Sequence, residues 1–132
     1  LLIVEGNLSR LGVGNDLFSN ALSIRRIICP AKNAFDRYND ILSAIKFHAK
    51  HDDMILIALG MTATVLAYDL ATEDYQAVDI GHVDIEYEWY LQGATHKVAI
   101  RNKFTNECYD GRNPNKEIDN KKYLKEIIAV IK

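Results

Sequence analysis

Met54-Ile55-Leu56-Ile57-Ala58-Leu59-Gly60-Met61-Thr62-Ala63-Thr64 contains the repeating unit of this fold. Met54 to Leu59 is a short apolar run, the signature of a strand covered on both faces, and Gly60 breaks it. Thr62 then predicts an N-cap for a helix from Ala63 to about Thr72. The same sequence of strand, breaker and helix recurs on either side. Leu1–Val4 ends in Glu5-Gly6, Arg26–Cys29 is closed by Pro30, and Ala77–Ile80 by Gly81. A short helix is expected near Asn15 or Asp16. A longer one, capped by Asn33 and carrying Asp36 in its first turn, should run to about Lys50. Phe35, Tyr38, Leu42, Ile45 and Ala49 fall on one face of it. Thr95 to Asn120 is polar and irregular, with a short strand expected at Val98–Ile100. A last helix, Lys121–Ile131, would place Leu124, Ile127, Ile128 and Ile131 together.

Strands alternating with helices predict an α/β fold: a three-layer, Rossmann-like domain with a mostly parallel sheet of about four or five strands. Residues 1–132 read as a single domain. The start on Leu1-Leu2-Ile3-Val4 suggests a strand entered mid-protein, and hence a piece of a longer polypeptide.

Composition narrows the function. The 132 residues hold 16 basic and 18 acidic side chains, a net charge of −2 with no basic block. That balance argues against nucleic acid or an anionic membrane as partner. The longest near-continuous apolar run, Met54–Met61, falls short of the roughly 20 residues of a membrane span. Cys29 and Cys108 lack metal spacing, and the default setting is reducing and cytoplasmic.

In doubly wound sheets ligands collect beyond the carboxyl ends of the strands. Those ends are Glu5-Gly6, Cys29-Pro30, Gly60 and Gly81-His82. The loop Ser9-Arg10-Leu11-Gly12-Val13-Gly14-Asn15-Asp16 could bring backbone N–H groups to a phosphate, with Arg10 adding a bidentate contact. It could equally be a flexible connection whose glycines supply unusual dihedrals. A dinucleotide fingerprint is rejected: Leu17 replaces the third glycine, the first turn is too long, and no acidic residue ends the second strand.

Asp84-Ile85-Glu86 is the sharpest chemical candidate. In an extended chain both carboxylates point one way and could hold Mn²⁺ or Mg²⁺, with His82 as a third or outer ligand. On a helix they diverge by about 200°, and the alternative is a solvated polar row. Thr62 and Thr64 offer hydroxyls to a substrate, or Thr62 is only a cap. His48 and His51 fit a solvated helix end. Tyr87, Trp89 and Tyr90 could stack on a sugar or base, although such clusters are more often core.

The runs Leu2–Gly6, Arg10–Phe18, Ile27–Pro30, Thr62–Leu70 and Asp79–Trp89, in this order, resemble bacterial glycosyltransferases of the GT-D fold type, long catalogued as a domain of unknown function. The likeness runs from Leu1 to about Glu107. It implies metal-assisted transfer of a sugar, with glucose expected, from a UDP-sugar to a glycan on a bacterial surface glycoprotein. It also implies a metal motif of the form Asp-x-Glu, which here falls on Asp84 and Glu86. From their positions at the strand ends, Arg10, Gly12, Gly14, Asn15, Thr62 and Thr64 are the residues expected around the nucleotide. The sequence departs from the family in lacking an Arg-Phe-Gly-Asp-Gly-Glu type segment, and Met61 stands where a proline is expected. Asp16 or Asp79 would be the base for an inverting reaction. Two other classes stay open: a non-catalytic nucleotide-binding or regulatory domain, and a small phosphotransfer or hydrolase domain using the same carboxylates.

Overall fold

The computed structural model describes residues 1–115 and 117–132. Five strands form one parallel sheet: β1 (Leu2–Gly6), β2 (Arg25–Cys29), β3 (Met54–Ala58), β4 (Gln76–Asp79) and β5 (Ile127–Val130), in the order β4-β3-β1-β2-β5. The α/β expectation holds. Between β2 and β3 lie a 3₁₀ turn, Ala34–Arg37, and α1 (Tyr38–His48); α2 (Met61–Thr72) links β3 to β4. The return from β4 to β5 contains α3 (Val83–Gln92), a second 3₁₀ turn at Tyr109–Gly111, and α4 (Lys121–Glu126).

The strands sort their side chains by parity. Leu2, Val4, Ile27, Cys29, Ile55 and Ile57 form a cluster with Ile41 and Ile45 of α1 and with Ala63, Leu66 and Leu70 of α2. All are essentially inaccessible to solvent, and each large one contributes roughly 1.5–3 kcal/mol by leaving water. The opposite parity carries Ile3 and Leu56 but also Glu5 and Arg26, both buried. Right-handed crossovers set α1 and α2 on the first face. The β1–β2 loop and the β4–β5 connection cover the second, giving three layers.

Several local expectations need correction. No helix forms near Asn15 or Asp16; residues 7–24 make a chain of turns, with Gly12 and Gly14 at positive φ. Asn33 does not cap with its side chain: it sits in the left-handed region (φ 53) and leads into the 3₁₀ turn, which leaves Phe35 exposed and off the apolar face of α1. Thr62 lies inside α2, whose N-cap is Gly60 at φ 55, ψ −141, a conformation glycine adopts without a Cβ clash. Val98–Ile100 is not a strand; Ile100 packs with Ile85 and Trp89 instead. The expected helix Lys121–Ile131 is split. Asn120 caps α4 through its side chain, accepting from the Tyr123 N–H, and the chain then becomes β5 beside β2. Ile127-Ile128-Ala129-Val130 is rich in β-branched residues, and pairing with the open edge of β2 outweighs the helical periodicity.

The largest correction falls on Asp84 and Glu86. They are in the first turn of α3, not on an extended chain. Gly93, left-handed at φ 60, closes the helix, and the buried positions Ile85 and Trp89 follow helical spacing.

Candidate active site

Beyond the carboxyl ends of β1, β2 and β3, and of β4 at Gly81, lies a cavity of about 740 Å³, within the roughly 300–1,000 Å³ usual for small-molecule sites. Gly6, Pro30, Gly60 and Gly81 all line it, so each strand end singled out in the sequence opens onto it. The chain leaves β1 toward β2 on one side and later returns to add β3 on the other, so the sheet order reverses here. One wall is Asn33 to Asp36 with the start of α2; the other is Ser9 and Leu11 with Phe104, Asn106 and Glu107.

The two walls differ in chemistry. Phe35, Met61 and Val65 give an apolar lip, all three exposed. Opposite, His82 Nε2 lies 3.2 Å from Glu86 Oε1 and 3.5 Å from Glu107 Oε1. Asp36, His82 and Glu107 are the titratable lining residues, and no Lys or Arg is among the described ones. The N-terminus of α2 opens into the cavity through Gly60, Met61 and Thr62, with no acidic residue in its first turn. First-turn N–H groups lack intrahelical partners and favour an anion.

The predicted residues scatter over this frame. Thr62 lines the cavity, as does His82. Thr64 lies outside, donating to Asp79 Oδ2 at 2.7 Å, while Asp79 Oδ1 accepts from the Gly81 N–H at 2.9 Å and so braces the turn after β4. Asp16 accepts from the Tyr87 hydroxyl at 2.7 Å, away from the lining. Neither proposed base therefore faces the cavity. Arg10 is buried, with Nη1 donating to the Asn102 carbonyl at 2.7 Å, and Gly12, Gly14 and Asn15 also lie off the cavity. Trp89 is core, its Nε1 donating to the Val98 carbonyl at 2.8 Å, while Tyr87 and Tyr90 stack on the outside. Among the described residues, His48 and His51 join no group of three that could hold a metal ion.

Asp84 and Glu86 part company. The Asp84 carboxylate has no solvent exposure. Oδ1 accepts from the Gly12 N–H and from Asn15 Nδ2, both at 2.8 Å, and Oδ2 from the Lys103 ammonium at 2.6 Å. Glu86 is largely exposed and turns toward His82. Among the described residues, no three His, Cys, Asp or Glu side chains are arranged to hold a metal ion. The pair does not fit a shared divalent cation.

Behind the cavity, Glu5 Oε2 accepts from the Leu11 N–H and Oε1 from Arg26 Nη1, both at 2.7 Å. Burial pushes the Glu5 carboxyl above its ordinary range, with Arg26 opposing. Arg26 also donates from Nε to Glu126 and lies over the Tyr123 ring.

Of the candidate loop Ser9–Asp16, Ser9 and Leu11 line the cavity, whereas the missed lining residues Asn33, Phe35, Asn106 and Glu107 carry no motif. The signal available for Asn33 and Phe35 was position, just after the end of the second strand.

A family model described as the glycosyltransferase GT-D fold matches residues 1–108. The chain is 55% identical over 107 residues to "Probable glycosyl transferase Gly" of Streptococcus gordonii, covering 81% of this chain and 16% of that protein. It is 47% identical over 131 residues to "Glycosyltransferase GlyD" of Streptococcus pneumoniae, covering 99% and 16%. A solved structure described as a new glycosyltransferase from Streptococcus sanguinis superposes with a TM-score of 0.92 at 48% identity, over 99% of this chain and 48% of that one. Another, a domain of unknown function 1792 described as having a distinct glycosyltransferase fold, gives 0.90 at 50% identity, over 99% and 47%. The chain thus spans about half the length of these solved relatives and about a sixth of the curated ones. No helix among the described residues is long and apolar enough to cross a membrane. With most of its length matched by the family model, the chain belongs to the glycosyltransferase GT-D fold family.

Proposed function

We propose that this chain forms the donor-binding part of a glycosyltransferase that moves a sugar, glucose being the first candidate, from a UDP-sugar to a glycan on a bacterial surface glycoprotein. The observation that carries this reading is the cavity where the sheet order reverses, in a chain of this family. The N-terminus of α2 suits the diphosphate. The apolar lip of Phe35, Met61 and Val65 suits the flat face of a base. The polar wall of His82, Asn106 and Glu107 suits sugar hydroxyls.

Transfer breaks the bond between the anomeric carbon and the phosphate oxygen, forms one to the acceptor oxygen, and releases UDP. The acceptor hydroxyl must lose a proton, and His82 or Glu107 is better placed to receive it than Asp16 or Asp79. A Mn²⁺ or Mg²⁺ accompanying the diphosphate would need ligands other than the Asp84–Glu86 pair.

A donor screen on the intact protein, with and without divalent metal, tests the proposal. UDP-glucose should be consumed with release of UDP, and His82→Ala or Glu107→Ala should lower the rate at least about tenfold, within the range for a positioned proton acceptor. UDP binding without transfer to any acceptor would favour a non-catalytic nucleotide-binding domain. Release of inorganic phosphate instead of UDP would favour a hydrolase.

A further inference from the structure

Lys103 is an unusual residue for its place. It is 3% exposed, in a polar stretch without regular structure, and its ammonium lies 2.6 Å from Asp84 Oδ2 and 3.0 Å from Glu88 Oε1. Asn15 Nδ2 closes the ring, donating to Asp84 Oδ1 at 2.8 Å and to Glu88 Oε1 at 2.7 Å. Buried lysines persist only when paired. A divalent ion at Asp84 would face the ammonium at contact distance, with three of the roughly four acceptor positions of the carboxylate already taken.

The surrounding backbone points the same way. Arg10 and Asn102 are both left-handed, at φ 53 and 61, and are joined by Arg10 Nη1 donating to the Asn102 carbonyl. The Phe104 N–H donates to the Leu8 carbonyl at 2.9 Å. Residues 8–15 and 102–104 are therefore tied directly at two points and, through Asp84 and Glu88, at a third, and the side chains next to the direct ties, Leu11 and Phe104, help to line the cavity. Non-glycine residues at positive φ cost energy and persist where the surroundings hold them.

We infer that Lys103 is a positioning residue: its ammonium is the built-in counter-cation of Asp84, in the place where the sequence suggests a metal, and it locks the glycine loop and the 102–104 segment into one wall of the donor cavity. The role of that wall rests on the glycosyltransferase reading; the Lys103–Asp84 pairing does not.

The test uses the intact protein labelled with ¹⁵N-lysine and ¹³C-aspartate. The Lys103 ammonium should give a slowly exchanging NMR signal coupled to the Asp84 carboxylate carbon, unchanged on adding millimolar Mg²⁺ with UDP. Loss of that coupling with a shift of the Asp84 carbon on adding Mg²⁺ would overturn the inference. Lys103→Met should weaken UDP binding at least about tenfold and speed exchange of the Gly12 amide. Lys103→Met with Asp84→Asn should recover to within about threefold, because the fully buried carboxylate is then neutral and Glu88, 14% exposed, keeps its Asn15 donor. A double variant no better than the single one would also overturn it. Lys103→Arg keeps the charge and supplies a folded comparison if Lys103→Met does not fold. If UDP fails to bind at all, the donor reading falls, while the NMR coupling still decides the pairing.

Discussion

The two faces of the sheet solve burial in opposite ways. Toward α1 and α2 the strands present Leu2, Val4, Ile27, Ile55 and Ile57, an apolar layer that needs only shape and volume. Toward the β1–β2 loop they present Glu5 and Arg26, and behind these stand Asp84 and Lys103, charges that are tolerable only because each is met by a partner at hydrogen-bond distance. The apolar face gives the domain its stability. The polar face fixes the position of a loop without regular structure, and with it one wall of the cavity. Hydrophobic contact is non-directional, whereas a carboxylate gripping one N–H and one ammonium specifies where a chain must lie.

The polar face is opened most readily at Lys103. Lys103→Met leaves Asp84 buried and unpaired and should cost about 3–5 kcal/mol in chemical denaturation. A cost as small as that of a surface change would mean that the polar face is not closed. Leu66→Ala on the apolar face should cost about 2–5 kcal/mol by leaving a cavity, with UDP affinity unchanged because Leu66 does not line the site. An equal loss of affinity would show that the faces are not separable.

Asp53 ties the stability of the fold to pH. Burial alone would raise its carboxyl, but the Lys50 N–H and the Arg25 guanidinium hold it below the ordinary range. Its contribution is therefore present above the unfolded carboxylate value near 3.8 and lost as pH falls through the lower folded value. Asp53→Asn should cost about 1 kcal/mol at neutral pH and flatten the acid limb of the stability profile. Glu86→Ala should change stability by no more than about 0.5 kcal/mol, in contrast with Asp84 two residues away. The smallest effect concerns thiols. Burial, with Glu5 nearby, pushes Cys29 up to about 12, so maleimide at neutral pH should label the more exposed Cys108 and spare Cys29 until the protein unfolds.

How much of this was legible follows from the range of each interaction. Strands β1 to β4 announce themselves because short apolar runs end in Gly or Pro, and the doubly wound pattern then locates the cavity. Strand β5 was hidden because Ile127–Val130 satisfies helical and extended patterns alike, and only the open edge of β2 decides. Helix α3 was misread because its buried first-turn residue is a carboxylate. Asp84 puts a charge on the buried side of the helix beside Ile85 and Trp89, and the row Asp84, Glu86, Glu88 imitates a strand. Its partners Gly12 and Asn15 lie 72 and 69 residues away, beyond the reach of any local pattern. The family resemblance was legible from ordered motifs, yet it could not say which way those two carboxylates face.

The most direct test is photo-crosslinking of the intact protein with a 5-azido-uridine diphosphate sugar, followed by mapping of the labelled peptides. Label should fall on residues 30–36 or 58–65 and be competed away by UDP, because those segments line the cavity where the sheet order reverses. Competed label on residues 84–92 with none at 30–36 or 58–65 would place the nucleotide on α3 and contradict the account.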